Sequence, residues 1–281
     1  MFFLCLGDFG SGNKTQYSVA HTMAYLCSQY PIQFIIGLGD NIYPEGVKSV
    51  NSKLFLTQFE KPYSVLPKNI QFFHCLGNHD YKGNVKAQID YTKKSKKWNL
   101  PGTYYVLHKK INGIHVDFFA INTNVDNLST SERQKQEIWI LKELQKSKAH
   151  WKVVYGHHPW KSSGIHGDTK SKYLNNLFKK IIKTNKVNLI LAGHDHDQQH
   201  IKIPKLPDLC ISGAGSTTRH NPDFIRKHNQ PHLVFFSENP GCCLIGVNYN
   251  YLDLSFFNLH NIPEYNTKIY HHKENKLTLQ N

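Results

Sequence analysis

The sequence predicts an α/β fold of two stacked mixed β-sheets covered by helices. Three observations point there. Apolar strand-like runs alternate with amphipathic helical stretches through the front half of the chain, as parallel crossover units require. The back half, from residue 209 on, is instead rich in short strands, with a hairpin near 248–250. Five apolar runs end in a glycine followed by a polar or ionisable side chain, the arrangement of a carboxyl sheet edge that carries a site. A single open, doubly wound sheet would not have the strand-rich second half.

In chain order, residues 2–6 run straight into Gly7-Asp8-Phe9-Gly10, giving a strand, a turn and a carboxylate. Val19, Ala20, Met23 and Ala24 recur at helical spacing, and residues 33–38 form the next strand. That strand leads into Gly39-Asp40-Asn41-Ile42-Tyr43, which places a carboxylate and a phenol at its carboxyl end. Phe55, Phe59 and Tyr63 suit another helix, and the strand at 70–76 ends in Gly77-Asn78-His79-Asp80. Residues 103–107 and 115–121 read as paired strands around 109–113. Ser129 and Glu132 form a capping box that opens a helix with apolar Ile138, Leu141 and Leu144. The strand at 151–155 ends in Gly156-His157-His158-Pro159, and His166 follows in a glycine-containing loop. Tyr173, Leu174, Leu177, Phe178, Ile181 and Ile182 make a strongly amphipathic helix. The strand at 187–192 then closes on Gly193-His194-Asp195-His196. Behind it, 209–212, 233–236, 242–248 and 251–258 read as antiparallel strands with Val247, Tyr249, Leu252, Leu254 and Phe256 on their apolar faces.

With 281 residues and 40% hydrophobic side chains the chain can bury a full core, and no linker, repeat or low-complexity tract divides it. We expect a single domain over 1–281, with a core to about 260 and a tail over about 261–281. No run approaches the ~18 apolar residues of a membrane span. The opening run 1–6 is too short for a signal core and lacks a basic flank, so it reads as the first strand. The six cysteines have no C-x-x-C spacing, which predicts free thiols and an intracellular, reducing compartment. Net charge is +14, yet only Arg133, Arg219 and Arg226 are arginines. Lysine without arginine, and without a motif for base stacking, argues against nucleic acid as partner and for a solvated basic surface that attracts anionic substrates. The expected oligomeric state is a monomer.

The five strand ends deliver Asp8, Asp40 with Tyr43, Asn78, His157, and His194 with His196. Taken singly, each is an ordinary turn; jointly they form a donor set of oxygen and imidazole without sulfur, which suits iron, zinc or manganese. Seven donors are too many for one ion and suit two that share a carboxylate. A phenol with an ordinary pKa of ~10 joins such a set only when a strongly charged hard ion displaces its proton.

These stretches resemble the five-block signature of the purple acid phosphatases, within the calcineurin-like metallophosphoesterase superfamily. The blocks stand as Gly7-Asp8-Phe9-Gly10, Gly39-Asp40-Asn41-Ile42-Tyr43, Gly77-Asn78-His79-Asp80, Val154-Tyr155-Gly156-His157 and Gly193-His194-Asp195-His196. Between them, Gly83-Asn84-Val85-Lys86-Ala87-Gln88-Ile89 and Ser212-Gly213-Ala214-Gly215 are similar to the small, mammalian-type tartrate-resistant members. The similarity runs from Asp8 to about Asn258. Most superfamily members have Asp-x-His in the first block; here Gly10 stands where that histidine would be, and Tyr43 compensates.

The resemblance implies a four-layer αββα sandwich and a binuclear acid phosphatase acting on phosphomonoesters through a metal-bound hydroxide. It implies Fe(III) on Asp8, Tyr43, His196 and a bridging Asp40, with purple colour from the phenolate. A divalent iron, zinc or manganese ion would take Asp40, Asn78, His157 and His194. His79 and His166 would be the pair that contacts phosphate and protonates the leaving alcohol, which favours acidic pH. Two features depart from the mammalian-type pattern. The segment 122–131 is short, with Asn122 near a position where the family has Asp, and the two cysteines of the loop disulfide are absent. Control by loop proteolysis, and the usual secreted or lysosomal location, are therefore not implied. Two other readings compete: a phosphodiesterase or nucleotide hydrolase on the same site, and a basic nucleic-acid-binding protein that keeps the fold without turnover. The intact donor set argues against the second.

Overall fold

The computed structural model describes residues 2–111, 113–219 and 231–271, so Arg226 and the 272–281 part of the expected tail lie outside the described residues. Strand β1 (Phe2–Leu6) is joined by helix α1 (Lys14–Gln29) to β2 (Ile32–Gly37), and the two strands pair in parallel as the crossover requires. A short helix α2 (Lys53–Phe55) precedes β3 (Gln71–His74), and α3 (Val85–Tyr91) precedes β4 (Trp98–Asn99). Both strands continue the parallel set. The hairpin β5 (Tyr105–Ile111) and β6 (Ile114–Ala120) is followed by α4 (Thr130–Lys146), β7 (Trp151–Tyr155), α5 (Lys172–Lys183) and β8 (Leu189–Ala192). Then come β9 (Gln198–Ile201), β10 (Asp208–Ser212), β11 (Leu233–Ser237), β12 (Gly241–Val247), β13 (Tyr251–Asn258) and β14 (Pro263–Tyr270).

They assemble into two seven-stranded mixed sheets, ordered β14-β13-β12-β1-β2-β3-β4 and β11-β9-β10-β8-β7-β6-β5. Burial on both faces explains why the central strands read as unbroken apolar runs. Phe3 and Cys5 of β1 face the second sheet with Phe34 and Ile36, meeting Phe118, Val153 and Leu191. Leu4 and Leu6 point the other way, onto Val19, Met23 and Leu26 of α1. On the far side, Val154 and Ile190 pack under Ile140 and Leu144 of α4 and Leu177 and Ile181 of α5. The layers are therefore α, β, β, α.

Four local readings need correcting or extending. Ile138 is 68% exposed, and the buried face of α4 is Gln136, Ile140 and Leu144. The Gln136 carboxamide fixes this rotation by accepting from Asn122 N at 2.6 Å and donating to Asn122 O at 3.0 Å. Position 138 then lies ~200° away on the helix. The Phe55–Phe59–Tyr63 helix is really α2 followed by a π turn (Leu56–Glu60) and a 3₁₀ turn (Pro62–Val65), because Pro62 has no N–H to continue the ladder. All three aromatics are buried nonetheless. Strand β9 carries no apolar alternation: Gln198, Gln199 and His200 are buried polar residues whose side chains find partners such as Asp197 and Asp208. Strand β14 extends the first sheet over part of the stretch assigned to the tail, and its Ile269 alone is fully buried, so periodicity could not mark it.

All six cysteines are free thiols, with Cys27 half-buried and the rest buried. Thiol titration of the denatured, unreduced protein should accordingly find six; four or fewer would mean that a disulfide exists. No helix of the described residues is long and apolar enough to cross a membrane.

Candidate metal centre

Every candidate ligand leaves the carboxyl end of a strand, and the two sheets present those ends to each other. Gly7 N donates to Ser212 O at 2.6 Å and Gly215 N to Gly7 O at 3.1 Å, tying the β1 turn to the β10 turn across the layers. Three candidates occupy left-handed backbone: Asp8 at φ 58°, Asp40 at φ 51° and His194 at φ 70°. Such conformations cost of order 1–3 kcal/mol for a non-glycine residue and gather at functional sites. A turn of this kind aims the side chain back over the strand ends, and His194 N donates to Asp8 Oδ2 at 2.8 Å within it. At Gly10 a Cβ would meet Asn41 O at 1.8 Å, so no side chain fits there without displacing the Asp40 turn. Tyr43 N donates to Gly10 O at 2.8 Å, tying the Tyr43 turn to the first block.

Two sets of donor atoms converge. Tyr43 Oη lies 3.0 Å from Asp8 Oδ1, 2.9 Å from Asp40 Oδ2 and 3.4 Å from His196 Nε2. His157 Nε2 lies 3.0 Å from Asn78 Oδ1, 3.2 Å from His194 Nδ1 and 3.5 Å from the same Asp40 Oδ2. One carboxylate oxygen thus belongs to both sets. His157 Nδ1 donates to Leu38 O at 2.9 Å, which leaves Nε2 as the lone-pair atom aimed at Asn78 Oδ1 and Asp40 Oδ2. These acceptors can gather around Nε2 only with a positive charge among them, a proton on His157 or a metal ion in its place. Among the described residues, ligand atoms of Asp8, Asp40 and His157 all lie within 4.8 Å of one another, as do those of His157, His158 and His194. The donor set therefore fits a binuclear centre.

Electrostatics agree. Burial, then Asp8 and Asp40, push the Tyr43 phenol far above its ordinary range, so only a strongly charged cation would take its proton. Burial pushes Asp8 up, but His157 and His196 outweigh it and hold the carboxyl below its usual range. Burial pushes His157 down while Asp40 and Asp8 push it up, with the carboxylates prevailing, so the same negative charge that favours a proton on Nε2 would favour a metal ion displacing it. Burial, then the neighbouring His157, drives His194 far down, leaving the neutral imidazole a metal needs.

The outer histidines sit on opposite flanks. His79 N donates to Asp40 Oδ1 at 2.9 Å, while its ring packs 4.5 Å from the Tyr43 ring. Its Nδ1 is tied to Pro44 O, and Nε2 faces Asp40 Oδ2 at 3.9 Å. The His166 ring stacks on His194 at 4.1 Å, its main chain donates to Asp195 Oδ1 at 2.9 Å, and its Nε2 meets Arg219 Nη1 at 2.9 Å. A cavity of about 290 Å³ opens beside this flank, lined among others by Asn78, His158, His166, His194, Asp126 and Lys170.

Four participants were not singled out from the sequence. Asp80 accepts from Gly77 N at 2.8 Å, Gln88 Nε2 at 2.9 Å and Asn41 N at 3.1 Å, locking the Asn78 turn to the Asp40 turn. Burial, then Asp40, pushes its carboxyl up to about 7. Asp195 holds the His166 loop and Ser162. Both stand inside the quoted motif blocks, so position was a signal even though role was not. His158 accepts or donates at Thr123 Oγ1 (2.9 Å) and lies 4.4 Å from the His194 ring. Arg219 had no signal before folding placed it.

Over residues 1–198 the chain matches the family profile described as Calcineurin-like phosphoesterase. It is 35% identical over 234 residues to purple acid phosphatase 7 of Arabidopsis thaliana, covering 76% of this chain and 70% of that one. It is 32% identical over 256 residues to tartrate-resistant acid phosphatase type 5 of Homo sapiens, covering 83% and 78%. Among solved structures, GAP50, the anchor in the inner membrane complex of Plasmodium, superposes with a TM-score of 0.84 at 24% identity over 98% of this chain and 90% of that chain. That last likeness is one of fold. With the αββα layers and the paired donor sets, these matches place the chain in the calcineurin-like phosphoesterase family, among the purple acid phosphatases, as a metal-dependent hydrolase of phosphate esters.

Proposed function

We propose that this protein is an acid phosphatase of phosphomonoesters, with Fe(III) on Asp8, Tyr43, His196 and Asp40. A divalent iron, zinc or manganese ion is held by Asp40, Asn78, His157 and His194. The observation that carries the reading is the single Asp40 oxygen shared by the tyrosine set and the histidine set. Such an ion pair supplies charge neutralisation at the phosphoryl group and acidifies water. The chain itself supplies orientation and a proton. His79 is held through Nδ1, which leaves Nε2 turned toward the site to protonate the departing alcohol. His166 Nε2 instead accepts from Arg219, so that atom cannot donate while the bond holds.

The test compares the metal-loaded wild type with His79→Ala on an alkyl phosphate and on p-nitrophenyl phosphate. Positioned proton transfer contributes ~10²–10⁴-fold, so kcat on the alkyl ester should fall by about that much while the activated ester loses less. Metal content should not change. Equal losses on both esters would remove His79 as the acid, and failure of the wild type to hydrolyse any monoester would overturn the function.

A further inference from the structure

We propose that Arg219 grips the phosphoryl group and selects esters that present a third non-bridging oxygen, which makes it a specificity determinant for monoesters over diesters. The inference rests on the phosphoesterase reading and concerns a residue outside the candidate ligand set. Its main chain is anchored at the centre: Arg219 N donates to His196 O at 3.4 Å, and three residues earlier Ser216 Oγ donates to Asp8 O at 2.6 Å. Its guanidinium is aimed by a contact of Nη1 with His166 Nε2 at 2.9 Å. His166 is itself fixed, stacked 4.1 Å from His194 and bonded through its main chain to Asp195.

Hydrogen-bond roles then follow without choice. A guanidinium has five N–H donors and no acceptor, so His166 Nε2 must accept and its ring proton sits on Nδ1. His166 is thereby a positioning residue for Arg219. Among the described residues one donor is used, and no carboxylate forms an ion pair with Arg219. A permanent cation with spare, planar donors beside a cluster built for phosphate esters matches phosphoryl oxygens bidentately. A monoester dianion carries three non-bridging oxygens, whereas a diester has a carbon substituent in place of one. The diester therefore offers this guanidinium one acceptor fewer.

The experiment uses the metal-loaded full chain and the variants Arg219→Ala and Arg219→Lys. It reads kcat/KM on p-nitrophenyl phosphate and bis(p-nitrophenyl) phosphate, dissociation constants for inorganic phosphate and dimethyl phosphate, and metal content. Loss of a charge-assisted bidentate contact should weaken inorganic phosphate binding and monoester turnover in Arg219→Ala by roughly 10–100-fold. Diester turnover and dimethyl phosphate binding should fall less, so that the monoester preference shrinks about tenfold. Arg219→Lys, which keeps charge but not the fork, should recover part of the loss. Equal losses on both ester classes, or none, would overturn the proposal, and loss of metal in Arg219→Ala would make the residue a support for His196 instead. If the wild type turns over neither ester, the phosphatase reading fails; the binding constants still decide for or against Arg219.

Discussion

Asp40→Asn is expected to bring bound metal below two ions per chain and to depress ester hydrolysis by more than roughly 100-fold. Changing a partner of a ligand already costs about 10–100-fold, and this change removes a proposed ligand itself. Asp40 Oδ2 lies 2.9 Å from Tyr43 Oη and 3.5 Å from His157 Nε2, while Oδ1 accepts from His79 N at 2.9 Å. An asparagine cannot serve both ends. With its oxygen toward the ligand sets, its NH₂ faces the His79 N–H. Flipped, it places two donors where a cation belongs. The side chain is 2% exposed, so water cannot relieve either arrangement. Mass-spectrometric metal analysis of the variant, alongside its rate, checks this. Two ions per chain in Asp40→Asn would show that the bridge lies elsewhere.

Tyr43→Phe should abolish visible absorption while leaving the fold intact. The phenyl ring keeps its packing against His79, and only the hydroxyl shared by Asp8 and Asp40 is lost. Phenolate-to-iron(III) charge transfer needs that oxygen, and no other phenol is within reach of Asp8 and Asp40 among the described hydrogen bonds. The divalent set, which does not use Tyr43, should retain its ion. Circular dichroism establishes the fold, and the visible spectrum with iron analysis decides the assignment. Colour that persists with iron bound would remove Tyr43 from the ligand set.

Much of this architecture was legible because burial and chemistry coincide at the strand ends. β1, β2, β3, β7 and β8 are buried on both faces or nearly so, which writes apolar runs into the chain, and each stops at a glycine before Asp8, Asp40, Asn78, His157 or His194. Less of the rest could be read, for identifiable reasons. β9 is a strand of buried glutamines and a histidine, so its stability lies in side-chain hydrogen bonds rather than in an apolar pattern. Ile138 looked like core because it is apolar, yet the amide pair between Gln136 and Asn122 sets the rotation of α4. The sharing of one Asp40 oxygen depends on the two sheets facing each other, and Arg219 reaches His166 across 53 positions of sequence. His74 illustrates the opposite case, a histidine buried among Phe9, Phe59 and Trp98, where burial drives its pKa down to about 3 and it serves as core.

The measurement that bears most directly on the binuclear centre is metal stoichiometry, taken together with the visible spectrum, on the wild-type full chain purified from iron-supplied cells. Two ions per chain are expected, one of them iron, with a visible band that disappears in Tyr43→Phe. One ion or fewer per chain in a protein that still hydrolyses phosphate esters would contradict a centre built on the shared Asp40.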